Sequence, residues 1–152
     1  MANSQAMCTS FKQDLLNGLH AFGTSVVRAG TGADTFKGAL YLATGSVGAA
    51  TAAYSATNEV TGANYTATGA TVTNATAPTT SGTTAFWTPS ASLTWTTVTL
   101  ATAFDALLLY NSTAAGKNSV AVNTFGSQTV TAGNLTLTMP TNDSSTGLLR
   151  LA

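Results

Sequence analysis

Two strongly apolar runs flanking a small, polar turn dominate the chain: FDALLLYNSTAAGKNSVAVNTF, Phe104 to Phe125. Phe104, Ala106, Leu108 and Tyr110 fall on one face at period two, with Leu107 and Leu109 on the other. A strand with one wet face would not carry leucine there, so both faces are expected to be covered. Asn111 to Asn118 supplies turn residues, and Ser119 to Phe125 alternates Val120, Val122 and Thr124 against Ala121, Asn123 and Phe125. A buried hairpin at the centre of a sheet is the prediction.

The same alternation predicts further strands. In Thr35 to Ala43, Phe36, Leu40 and Leu42 oppose Lys37, Ala39 and Tyr41, the pattern of a strand with one buried side. Gly38 falls on that buried face and marks a bulge or a close backbone approach. Glu59 to Thr73 gives short edge pieces punctuated by Gly62 and Gly69, with Tyr65 as the inward anchor. Thr84 to Thr88, Ser92 to Leu100, Gln128 to Ala132, Asn134 to Met139 and Leu148 to Ala152 follow as separate short strands, with Gly133 read as a turn and Pro140 as a stop. Loops are predicted at Asn74 to Thr84, at Thr141 to Gly147 and at Thr44 to Thr57, a surface excursion pinned by Val47 and Tyr54.

One helix is predicted, from Ser10 to Asn17, with Ser10 as N-cap, Phe11, Leu15 and Leu16 as its apolar stripe and Gly18 as its stop. Two turns are not stable alone, so it must dock on its own sheet or on another subunit. Gly23 to Asp34 reads as a small-residue linker, with Val26 and Val27 making a brief contact. The expected fold is therefore all-β: an antiparallel β-sandwich with one short N-terminal helix, and a jelly roll is the topology chosen among sandwiches. Residues 1–33 form a helix-and-linker arm in this reading, and residues 34–152 a single sandwich domain.

Composition narrows the function. Only 7% of residues are charged, against about 25% in ordinary globular proteins. The net charge is zero and the five Lys and Arg residues are scattered, so no basic patch points to nucleic acid. Such a surface has little charge repulsion to keep it dispersed, which suits a protein covered in an assembly. The single Cys8 precludes an intramolecular disulfide and fits a reducing compartment. The N-terminus lacks a basic region followed by an apolar core, and the apolar runs are of strand length, so neither a leader nor a membrane span is expected.

Candidate chemistry is sparse. His20 is the sole histidine, too few for the usual zinc sets, and no Gly-x-Ser-x-Gly elbow accompanies it for a Ser-His-Asp triad. Asp14, Asp34, Glu59, Asp105 and Asp143 would serve a glycosidase only if two converged. Asp105, inside the apolar run, must face solvent or find a partner such as Arg150 or Lys37. Gly116-Lys117 has Asn111 where a phosphate loop needs its first glycine, and Gly30-Thr31-Gly32 has Thr35 where a dinucleotide loop needs its third. Trp95 reads as core and Trp87 as packed at a sheet edge or, alternatively, as an aromatic binding platform. No catalytic, cofactor or metal residue is expected.

Three segments together carry a family likeness: DTFKGALYLATGSV with AYSATNEVTGANYTATGATVT, then FDALLLYNSTAAGKNSVAVNTFGSQTVTAGNLTLTMP, and the closing GLLRLA. They resemble small structural proteins of tailed bacteriophages, similar to capsid decoration or cement proteins. The resemblance implies a non-enzymatic sandwich on the capsid surface of the virion, made in the host bacterial cytoplasm. It would act as a small homo-oligomer, dimer or trimer, bridging subunits of the major capsid protein, with no cofactor, nucleic acid or membrane. The interface is then expected at Phe11, Leu15 and Leu16, at Val47 and Tyr54 in the excursion, and at Trp87. The competing expectation is a tail- or fibre-associated adhesion module that uses Trp87 to bind a cell-surface glycan.

Overall fold

The computed structural model describes residues 2–16, 18–23 and 32–152, without the side chains of Lys12, Gln13 and Leu16; the expected contact of Val26 and Val27 lies outside the described residues. The elements are β1 (Ala6–Met7), α1 (Thr9–Leu16), β2 (Phe36–Leu42), β3 (Ala70–Thr71), β4 (Thr79–Ser81), β5 (Thr84–Trp87), β6 (Leu93–Asn111), β7 (Ser119–Leu137) and β8 (Leu149–Leu151). They form two antiparallel sheets, one of five strands in the order β1-β7-β6-β2-β3 and one of three in the order β4-β5-β8. The fold is all-β and sandwich-like, as the alternation predicts. A jelly roll shares eight strands between two interlocked Greek keys, and this five-plus-three division gives that choice no support.

The central hairpin is longer than its sequence pattern. β6 and β7 each run 19 residues, so pieces read as separate strands are continuous. The register of β6 on β7 shifts between Trp95 and Val98 and three more times before Ala106, and Thr97 (φ 53°) and Ala132 (φ 45°) adopt left-handed backbone there. Bulges of this kind bend a strand without ending it. Gly133, expected to turn the chain, instead stays in the ladder opposite Val98.

The bend folds the hairpin back over β2. A Cβ on Gly38 would stand 2.6 Å from a methyl of Leu93 and 2.9 Å from one of Leu107, two residues that a straight strand would hold roughly 45 Å apart. Leucine side chains, rather than the backbone approach anticipated, fill the space beside Gly38, and the return of β6 across the sheet brings Leu93 there.

The core follows from this folding. Leu107, Leu108 and Leu109 are all buried, so the strand is covered on both faces. β2 departs from the pattern, because Ala39 and Tyr41 are buried along with Phe36 and Leu40. The chain after it pairs along the edge of β2 away from β6, where the amide of Val60 bonds the carbonyl of Leu40 and that of Val72 the carbonyl of Phe36, and Val60 and Val72 join the same core. The N-terminal residues belong to the same core. β1 pairs with β7 through Ala6↔Val122 and Met7↔Ala121, and Cys8 and Phe11 are buried in the main cluster. α1 thus docks on its own sheet, which is how a helix of two turns is held.

Candidate functional site

Phe11 and Leu15 of α1 and the strands β5 and β8 of the small sheet line a pocket of about 180 Å³. Phe11 and Leu15 come from α1, Phe86 and Trp87 from β5, Leu149 and Leu151 from β8, and Phe22, Pro78 and Ala85 complete the wall. Phe22 stacks on Phe36 at 4.5 Å and lies 4.7 Å from Trp87, so an aromatic block backs the cavity. The Trp87 indole donates to the Thr76 carbonyl at 2.9 Å, which satisfies its one polar atom and fixes the ring. Leu151, 45% exposed, is the one large hydrophobic residue on the surface among the described residues, and it stands at the rim.

The pocket gathers three of the six residues expected at an interface: Phe11, Leu15 and Trp87. Their roles differ. Phe11 and Trp87 are each 2% exposed and form the floor, so neither offers a side chain to a partner directly. Trp87 accordingly presents no free aromatic face for a sugar, and the edge position expected of it is a core position. Leu15 is half-buried and accessible, whereas the Leu16 side chain lies outside the described residues. Val47 and Tyr54 lie apart from this pocket. Val47 is half-buried in a separate cleft with Tyr41, Ser46 and Thr51, and its backbone is bonded to Ser4 and Asn3 of the N-terminal segment.

Tyr54 belongs to a cluster the sequence pattern did not reveal. Glu59, 6% exposed, accepts hydrogen bonds from the Tyr54 hydroxyl (2.6 Å), the Tyr65 hydroxyl (2.9 Å) and the Thr68 amide (2.9 Å). Tyr110 donates to the Thr68 carbonyl at 2.8 Å and stacks on Tyr54 at 4.7 Å, and Tyr41 donates to the Ser55 carbonyl at 2.5 Å. All four tyrosines of the chain thus converge around one carboxylate. Burial, reinforced by the Glu59 charge, pushes their hydroxyls up, that of Tyr41 to about 12. With three donors fixed on it, Glu59 acts as the acceptor that holds the excursion onto β2.

A second polar network ties residues 18–23 to the end of β6. The Asn111 side-chain oxygen accepts from the amides of Thr113 (3.0 Å) and Ala114 (3.1 Å), so its amide nitrogen is turned toward Asp34 (2.9 Å) and His20 Nδ1 (3.1 Å). His20 Nδ1 is therefore the acceptor, which places the imidazole proton on Nε2, 3.5 Å from Asp14. The imidazole is wholly buried between Phe11, 4.9 Å away, and Phe22 and Phe36, each 6.1 Å away. Asp34 also accepts from the Ala21 amide at 2.6 Å.

Every Asp and Glu side chain is engaged within the fold. Asp14 accepts from Asn118 at 3.0 Å, Asp105 from Asn3 at 2.5 Å, and Asp143 from the Ser145 and Thr146 amides at 2.7 Å each, beside the bonds to Asp34 and Glu59. Asp105 thus finds an amide of the N-terminal segment rather than the Arg150 or Lys37 expected of it. Among the described residues no three His, Cys, Asp or Glu side chains group as metal ligands. Burial pushes the Cys8 thiol up to about 11, leaving it protonated and unreactive. Among the described residues no helix is long and apolar enough to cross a membrane. Comparison with known protein families, with curated proteins and with solved structures finds no match to this chain.

Proposed function

We propose that the chain is a non-enzymatic structural protein of a tailed-bacteriophage particle, which decorates the outer capsid shell and bridges neighbouring subunits of the major capsid protein. The reading rests on the resemblance of its strand segments to phage decoration proteins, and one observation carries it further. An apolar pocket, floored by Phe11 and Trp87 and rimmed by Leu15 and Leu151, opens on a surface with few charges.

A pocket of this size receives a single apolar side chain from a shell subunit. Burying a leucine-sized group contributes about 1.5–3 kcal/mol, too little for stable attachment alone. Several linked copies raise the effective concentration at neighbouring positions, so weak contacts add up to firm attachment. With the carboxylates engaged internally, few charges oppose such a contact.

Deleting the residues before Gly23 is a poor test, because it removes Cys8 and Phe11 from the core. Leu151 is exposed and can be changed without that cost. Co-sedimentation of the purified chain with undecorated shells should be saturable, and Leu151→Asp should weaken it by about tenfold or more. Full binding by Leu151→Asp removes the pocket from the interface, and no binding by the unaltered chain rejects the decoration role.

A further inference from the structure

The stretch from residue 118 to residue 142 contains no charged side chain, and the last regular part of β7 lies within it. Natural sheets protect open edges with charges, prolines and bulges. In β7 the bulges fall upstream, whereas Leu135, Thr136 and Leu137 pair in unbroken register with Trp95, Thr94 and Leu93 of β6. β1 covers the other side of β7 only at Ala121 and Val122, so among the described residues no strand pairs the far side of 134–137. Pro140 limits the edge at its end.

The pairing on the closed side indicates what fits the open side. A Leu-Thr-Leu segment lies antiparallel to a Leu-Thr-Trp segment, apolar opposite apolar, with the two threonine hydroxyls bonded at 3.2 Å. Another Leu-Thr-Leu strand reproduces that match. We infer that the open edge of β7 at 134–138 pairs antiparallel with the same edge of a second copy of this chain, about a two-fold axis at Thr136. That register sets Thr136 opposite Thr136 and Leu135 opposite Leu137, the like-with-like pairs that stabilise neighbouring strands. An edge bearing one sign of charge would repel its own copy, and this edge bears none. Beside it, Phe125, Leu137, Met139 and Leu148 line an apolar pocket of about 210 Å³, which the second strand helps to cover. This pairing uses a different surface from the Leu151 pocket and stands independently of the decoration role.

Sedimentation velocity of the full chain over a wide concentration range tests it. The expected species is a reversible dimer of twice the 15.2 kDa chain mass. Thr136→Lys, at an exposed position, should raise its dissociation constant by about tenfold or more, because two ammonium groups then face each other across the axis. Thr129→Lys, exposed on the same strand outside this edge, should leave the dimer unchanged. Hydrogen exchange on the unaltered chain gives a reading free of any folding defect in a variant: the outward amides of 134–138 should gain protection as concentration rises. A monomer at every concentration, a dimer unaffected by Thr136→Lys, or no concentration-dependent protection there overturns the inference.

Discussion

At the scale of single residues, the chain concentrates its polar work in a few buried groups. Glu59 holds three donors, and its removal leaves them without an acceptor in a site where each unsatisfied group costs about 1–3 kcal/mol. Glu59→Ala should therefore destabilise the fold by about 3 kcal/mol or more, read as a lowered urea midpoint at unchanged slope. Glu59→Gln keeps the oxygen that Tyr65 and Thr68 use and should cost less. The tyrosines give a spectroscopic counterpart. Their folded values are raised, so the stability they contribute is complete below the ordinary value of about 10 and is lost as pH climbs through the folded values. Tyrosinate absorbance should stay low at pH 10 and rise only near pH 12, together with loss of the fold. A rise of ordinary amplitude near pH 10 in folded protein would contradict the cluster. Tyr65 was legible as an inward anchor, but its partner was not, since residues 41, 54, 59, 65 and 110 meet only after the excursion has folded over β2.

At the scale of elements, periodicity read the strands well and their continuity poorly. Phe104 to Asn111 and Ser119 to Phe125 emerged as a buried hairpin because an unbroken apolar run permits little else. The pieces on either side of Gly133 look separate because that glycine reads as a turn, and a bulge and a turn leave the same mark in a sequence. Pairing across the hairpin decides between them: each irregularity in β6 is matched by one in β7, so the ladder resumes. Glycines elsewhere separate two effects that sequence alone merges. Gly69 (φ 75°) and Gly82 (φ 58°) are both left-handed, but a Cβ on Gly69 would lie 2.0 Å from the Gly38 carbonyl oxygen, whereas one on Gly82 meets open space. Gly82→Ala should cost about 1–2 kcal/mol, the backbone penalty alone. Gly69→Ala should cost markedly more, because the β2–β3 contact must part, and thermal unfolding of the two variants side by side checks the difference.

At the scale of the whole molecule, the pocket shows what residue types alone could convey. Size and apolar character single out Phe11, Leu15 and Trp87 in the sequence, and those same properties draw Phe11 and Trp87 into the core. What reaches the surface is the half-buried Leu15 and, from β8, Leu151, whose place beside α1 depends on the pairing of β8 with β5. An interface built from these groups is held by apolar burial, so its strength should change little between low and high salt; a steep loss of shell binding with added salt would instead indicate ion pairing. The decoration role itself is tested most directly by cryo-electron microscopy of intact particles that carry this protein. The expected result is many symmetry-related copies on the shell, each with Leu151 and Leu15 against a capsid subunit. Density confined to the tail or its fibres, or copies that meet the shell through another face, would contradict it.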